Sequence, residues 1–408
     1  MLMQARGNGN YALVDPAPHW LPLYGPDGPM QATDFLRSPR ELDFSLGQTE
    51  RAMTAFVDED GSQPLANVYS LQDASCDRFN ETTTESQRAP RAAFWRYANY
   101  VAKRAKADQQ VIGASVTQLK PLQHGWQVHL SAGCRFSTRV VLLATGLTPH
   151  LYIPRPWHVW WQHLPQEQAH HAFQLDYANG DFKDANIAIL GSSNVATWEA
   201  AIKLAEAGAK ATLLTRYSNP IERQLPFAPF WFQKEFIQSF SQLSWRERKR
   251  SLKKPRIPAS AMPGMAARAK AIGVRVLHHA RVQYATELWG KVQLSYKTTK
   301  GMQAERFDHL VATTGASPRL RNLPYLTDAA RNYKAPIIVS GIARHYPILD
   351  DAGRWKNLPP IYPLGVHALT RAGHAANTLA SATLYLPLLM RTILQDAGLT
   401  DATDVSTA

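Results

Sequence analysis

The chain has 408 residues, 45 % of them apolar and 10 % aromatic, which is enough for two or three domains with ordinary packed cores. A formal net charge of +13 raises nucleic acid or an anionic membrane as partners, yet the densest basic run, residues 246–256 (RERKRSLKKPR), lacks interleaved aromatics that stack bases. It reads as a solvated face or as a means of steering an anionic cofactor or substrate, and nucleic acid is not expected as a partner. The two cysteines, Cys76 and Cys134, form no Cys-x-x-Cys pair, which argues against a disulfide framework or zinc knuckle and fits a reducing cytoplasm.

In chain order, the first readable element is the apolar stretch NGNYALVD, which separates Gly7 from Asp15 by eight residues. GWQVHLSAGCRFSTRVVLLATG then has the pattern of a three-stranded meander ending in a turn at Ala144, Thr145 and Gly146. RPWHVWWQHLP places Trp157, Trp160 and Trp161 close together, either as a shield for a cofactor or as an ordinary packed aromatic cluster. His170 and His171 follow, open to a role beside a nicotinamide or flavin and equally to that of a satisfied interdomain histidine.

The strongest chemical signal is IAILGSSNVATWEAAIKLAEAGAKATLLTR, residues 187–216. Ile187–Leu190 reads as a buried strand, and Gly191, Ser193 and Ala196 take the small-residue positions of a G-x-G-x-x-G/A turn, with Ser192 and Asn194 between them. A helix is expected from Val195 to Ala207, capped by Gly208, and a second strand over Ala211–Thr215. Small residues let the backbone approach a pyrophosphate, whose charge the amides at the helix start stabilise. Arg216 stands where an acidic residue would hold the ribose of NAD, so it suits the extra phosphate of NADP.

Downstream, LWGKVQLSYKTTKGMQAERFDHLVATTG repeats the meander and ends at Thr314 and Gly315. Gly208 precedes Arg216 by eight residues, as Gly7 precedes Asp15, so the chain carries two copies of one dinucleotide-binding plan. The counterpart of Gly191 in the first copy falls before residue 1, and Met1–Ala5 correspond to the last turn of its helix. The chain as written is therefore expected to be poorly soluble or free of flavin, and an upstream-extended version to be yellow. Asp15 is placed to hold a ribose hydroxyl, or else Asp15-Pro16 is merely a turn. The last apolar run, LASATLYLPLLMRTIL, is broken by Pro387 and reads as a buried helix, with a membrane-surface foot as the minority reading.

YALVDPAPHW, RAAFWRYANYVAKRA, VVLLATGLTPHLYIP, GSSNVATWEAAIKLAEAGAKATLLTR and HLVATTGASPRL together resemble the flavin-dependent oxidoreductases with two dinucleotide-binding domains, closest to the class B flavin monooxygenases, which include flavin-containing and N-hydroxylating enzymes. The resemblance implies an α/β fold of two Rossmann-like domains, the NADPH domain inserted in the FAD domain: residues 1–150 the first part of the FAD-type domain, 151–311 the NADPH-binding domain, 312–408 the returning FAD-type part. It implies FAD beside Asp15, Ala144, Thr145 and Gly146, with Thr314 and Gly315 at the second crossing, and Gly365 and His367 at the returning helix. NADPH would lie on Gly191, Ser192, Ser193, Asn194 and Arg216. The implied activity is monooxygenation of a small nucleophilic substrate through a flavin hydroperoxide, with no obligatory catalytic side chain and no metal. Around His171 the Baeyer-Villiger pattern is only partly present, and that assignment is not supported. A peripheral NAD(P)H:quinone oxidoreductase and a truncated or non-enzymatic nucleotide-binding protein remain as alternatives.

Overall fold

A computed structural model describes residues 11–17, 21–39, 53–59, 88–146, 151–191, 194–217, 221–222, 229–253, 260–317, 319–320, 323–327, 331–332, 334–339, 342–378 and 381–399. Gly7, Cys76, Ser192 and Ser193 lie outside them. The first half of the chain supplies β1 (Leu13–Asp15), the helix α1 (Arg91–Arg104), β2 (Val111–Gly113), a meander of β3 (Val116–Leu122), β4 (Gly125–Leu130) and β5 (Arg135–Thr138), and β6 (Val141–Leu143). The middle supplies β7 (Ala169–His171), β8 (Asn186–Gly191), α2 (Val195–Glu206) and β9 (Lys210–Thr215). After it come α3 (Lys234–Gln242), α4 (Trp245–Lys253), β10 (Arg275–Leu277), a second meander of β11 (Arg281–Leu288), β12 (Lys291–Thr298) and β13 (Gly301–Phe307), and β14 (His309–Ala312). The chain returns through β15 (Ile361–Pro363) and closes with α5 (Leu386–Ala397).

The middle strands form one parallel sheet in the order β10-β9-β8-β14-β7. Its strands are apolar runs because both faces are covered: Ile187, Ile189 and Leu213 pack under α2, and Ala188, Leu190 and Leu214 pack under the Trp157–Trp160 pair and the second meander. α2 lies close on the sheet because its buried face carries Ala200 and Ala201 beside Trp198, Ile202 and Leu204. Asn194 starts the helix by accepting from Thr197 N at 3.0 Å, a cap worth about 1 kcal/mol.

The first-half strands form two parallel pairs, β1 with β2 and β6 with β15, which share one apolar core through Val14, Leu143 and Ile361. In the repeat, β1 corresponds to β9 and β6 to β14. Among the described residues no strand lies between β1 and β6, where β8 lies between their counterparts. Leu142 of β6 is 37 % exposed, while Val311 of β14, at the same distance from its threonine-glycine turn, is 0 % exposed.

The returning part is pinned by one polar cluster. Arg354 Nε and Nη2 donate to Asp396 Oδ2 and Oδ1 at 2.6 and 2.7 Å, and Tyr362 donates to Oδ2 at 2.6 Å, tying α5 to β15. Leu389, Ile393 and Tyr385 lie in the core with Trp231, Phe240 and Leu369, so the last apolar run is a buried helix, as its sequence predicts. No helix among the described residues is long and apolar enough to cross a membrane.

Candidate functional site: two nucleotide seats and the crossing between them

β8 delivers Gly191 to the carboxyl edge of the parallel sheet, opposite Thr215 of β9, and α2 begins three residues later beyond Asn194. Beneath Gly191 two buried threonines close the floor. Thr197 Oγ1 donates to Asn194 Oδ1 at 2.9 Å, and the single proton of Thr313 Oγ1 lies between Thr197 Oγ1 at 2.7 Å and Leu190 O at 3.1 Å. A Cβ on Gly191 would overlap both threonine hydroxyls and come within 2.8 Å of Thr197 Cγ2. Glycine is required here by this close approach. The cradle above it faces the open amides of the first turn of α2, a setting that favours a phosphate.

Arg216 follows β9 directly and is exposed, one residue beyond the Thr215–Gly191 register. It therefore stands on the neighbouring strand beside the cradle. Asn194 is engaged as the helix cap, accepting from both Thr197 N and Thr197 Oγ1; its role is to fix the first turn. Ser192 and Ser193 lie outside the described residues.

The crossing is an antiparallel pairing of the two linking segments. Leu151 bridges Ala316, Tyr152 N donates to Gly315 O at 2.9 Å, and Thr314 Oγ1 donates to Tyr152 O. Gly146 and Gly315 have φ of +64° and +69°, so each turn adopts a backbone that glycine alone takes without strain. His171 Nδ1 accepts from Phe173 N at 3.2 Å, which leaves Nε2 to donate to Gly315 O at 3.1 Å. Burial lowers its pKa to about 4, so it is a neutral anchor of the crossing rather than an acid. His170 Nε2 meets Glu167 O at 2.9 Å and lies 3.4 Å from His309 Nδ1; burial and then His309 lower its pKa.

Ala144, Thr145 and Gly146 leave β6 beside Gly365, because β15 runs parallel to β6 and Leu364 N donates to Leu143 O at 3.0 Å. Gly365, at φ +59°, opens the turn that carries buried His367. Thr145 Oγ1 is buried, with the Tyr325 hydroxyl as its polar neighbour. Asp15 ends β1, on the other strand pair, and its Oδ1 accepts from Ala17 N at 2.8 Å. That is the turn role of Asp15-Pro16. Trp157 and Trp160 are buried, with ring centroids 5.9 Å apart, against the parallel sheet and the second meander, which makes them core rather than a shield.

Sequence reasoning missed a buried carboxylate behind the cradle. Glu199 of α2 is buried with Oε2 accepting from Thr33 Oγ1 at 2.8 Å, and Asp34 pairs with Lys203 of the same helix at 2.7 Å. Its only local signal is an acidic residue within the apolar string Trp198-Glu199-Ala200-Ala201.

No family model matches the sequence, and no curated protein matches it. Solved structures do. An ornithine hydroxylase from Pseudomonas aeruginosa is 17 % identical, with 97 % of this chain and 94 % of that chain covered at a TM-score of 0.67. An ornithine N-hydroxylase from Kutzneria sp. 744, solved with reduced FAD, NADP+ and L-ornithine, is 14 % identical over 97 % of this chain and 95 % of that one, at a TM-score of 0.70. A bacillithiol disulfide reductase from Staphylococcus aureus is 15 % identical over 96 % and 93 %, at a TM-score of 0.60. This chain therefore has the α/β fold with two Rossmann-type domains that these N-hydroxylases and the reductase share.

Proposed function

We propose that the protein is an FAD- and NADPH-dependent monooxygenase that hydroxylates a small primary amine. The observation that carries the reading is the Gly191–Thr197–Thr313 cradle with Arg216 on the adjacent strand, joined through the Gly315 crossing to a second, Thr145–Gly365 seat. The domain limits expected above, 1–150, 151–311 and 312–408, belong to the same proposal. What supports the two seats is, at the first, a cradle that a Cβ would fill and, at the second, the buried Thr145 hydroxyl beside Tyr325.

FAD, when bound, supplies the redox chemistry between NADPH, oxygen and the amine. The residues supply position. The amides at the start of α2 hold the NADPH pyrophosphate, Asn194 fixes that turn, and Arg216 binds the 2′-phosphate by charge-assisted hydrogen bonds. Thr145 donates or accepts at the flavin seat, Gly146 and Gly365 let backbone approach it, and Asp15 holds a ribose hydroxyl. His171 keeps the crossing in register while remaining neutral across the physiological range. The ornithine found in the Kutzneria enzyme supports a small amine as substrate class. Against the reductase reading stands the sequence, whose two cysteines, Cys76 and Cys134, are 58 residues apart with no dithiol motif.

In FAD-supplemented protein, NADPH oxidation and oxygen uptake are expected to rise on addition of ornithine, lysine or another short diamine, with a hydroxylamine as product. Quinone reduction without oxygen uptake would replace this reading with the quinone-reductase alternative. Arg216→Ala is expected to raise the Kd for NADPH on the order of tenfold to hundredfold, the worth of a lost charge-assisted bond of about 1.5–3 kcal/mol, and to leave NADH binding unchanged. Isothermal calorimetry with both nucleotides measures it, and an equal loss for NADH would remove Arg216 from the 2′-phosphate.

A further inference from the structure

Two arginines lie buried in the apolar layer between α4 and the returning part of the chain. Arg248 of α4 is 4 % exposed and Arg371, in the helical turn Leu369–Ala372, is 6 % exposed. Leu252, Leu369, Ala372 and Tyr385 surround them in one core. α4 and the turn Leu369–Ala372 are in contact, and burial and then the charge of Arg371 lower the pKa of Arg248 to about 10.

Their compensation is incomplete. Arg248 Nη1 donates to Ser241 O at 2.9 Å, near the carboxyl end of α3, where the helix dipole gives partial relief. Arg371 Nη1 and Nη2 donate to Oδ1 and O of Asp351, whose side chain lies wholly in solvent. Asp351 is thus a screened carboxylate set against two buried charges. The Nε atoms of both arginines are buried with no hydrogen-bond partner among the described residues, and the hydroxyl of Tyr385 is buried as well. Both arginine charges act on that hydroxyl, and Arg371 is close enough to share a hydrogen bond with it. An arginine does not escape such a place by losing its proton, and buried unpaired charge costs several kcal/mol or more. A guanidinium offers planar N–H forks matched to carboxylate and phosphate oxygens. Outside, Arg246, Arg250 and Lys253 stand exposed on α4, a field that draws anions towards it.

We propose that Arg248, Arg371 and Tyr385 form a binding site for a small oxyanion, the carboxylate or phosphate group of a metabolite, separate from both nucleotide seats. The two Nε–H groups and the Tyr385 O–H donate to the anion, whose charge completes the compensation that Asp351 begins. The site does not depend on the monooxygenase reading.

The test is the thermal midpoint of the full chain against inorganic phosphate and, separately, acetate, with ionic strength held constant by chloride. A saturable rise with at least one of the two is expected, and the better anion distinguishes a phosphate source from a carboxylate source. Arg371→Met is expected to lose that rise. Because a buried arginine can also matter to folding, Tyr385→Phe is the second variant: it removes the hydroxyl alone and keeps the ring in the core, shifts the midpoint of the anion-free protein little, and weakens saturation about threefold to tenfold. Arg246→Gln with Arg250→Gln on the exposed face leaves the saturating response in place. A midpoint that follows ionic strength alone would overturn the proposal and leave Arg248 as a cap of α3. A response abolished by the exposed-face pair and untouched by Tyr385→Phe would also overturn it.

Discussion

Gly191→Ala is expected to raise the Kd for NADPH about a hundredfold or more and to destabilise the fold by about 1–3 kcal/mol. The added methyl would enter space already held by Thr313 Oγ1 and Thr197 Oγ1. Neither threonine is free to rotate away: Thr197 Oγ1 donates to Asn194 Oδ1 and accepts at 2.7 Å from Thr313 Oγ1, whose one proton also faces Leu190 O. Relief must come from moving the first turn of α2, which breaks the Asn194 cap and carries the amides off the phosphate position. Thr313→Ala in the same chain removes one obstruction, so the double variant is expected to recover part of both losses, a coupling that chemical denaturation and calorimetry on the four proteins measure. Strictly additive losses would show that Gly191 and Thr313 do not form one cradle.

Glu199→Gln is expected to stabilise the protein by a few kcal/mol at pH 8.5 while changing it little at pH 5. Burial raises the carboxyl pKa from the usual 4.5 to about 8, opposed by the Thr33 hydrogen bond, raised further by Asp34, and lowered by Arg37 and Lys203. The folded protein thus favours the protonated acid. Its contribution is fully present below pH 4.5, the value in the unfolded chain, and is lost as pH rises through about 8. The loss amounts to about 1.4 kcal/mol for each pH unit by which folding raises the pKa. Glutamine keeps the shape and the acceptor for Thr33 without the titration, so its urea-unfolding free energy stays flat where that of the parent falls. Parallel pH profiles for the two proteins would contradict the burial of an uncharged acid at this position.

The β8–α2–β9 unit was legible almost to the residue, because strand, capped helix and strand are each written in local spacing: Ile187–Leu190, Val195–Ala207 and Ala211–Thr215 against the observed Asn186–Gly191, Val195–Glu206 and Lys210–Thr215. The meanders were legible only in part: the expected segments begin after the first strands, β3 and β11, and take as third strands β6 and β14, which instead pair parallel with β15 and β8. Gly208 does cap its helix with φ +89°. The eight-residue spacing common to Asp15 and Arg216 falls at the end of β1 and just beyond β9, each a strand of a parallel pairing. Glu199 was not legible, since nothing near it in sequence announces Thr33, its partner 166 residues away. The same holds for Arg248, which sits in a run that reads as a solvated basic face and turns one residue inward only because α4 packs on the turn that carries Arg371. For Trp157 and Trp160 the sequence allowed a shield or an ordinary packed cluster, and the packed cluster is what is observed, against a sheet and a meander.

The most direct test of the central claim is calorimetric titration of the chain with NADPH and then with NADH, since the cradle at Gly191 and Arg216 belongs wholly to one sheet and does not wait on flavin. One molecule of NADPH per chain, bound on the order of tenfold to hundredfold more tightly than NADH, is the predicted result. Equal affinities would contradict the placement of Arg216, and no binding of either nucleotide would contradict the nucleotide seat itself.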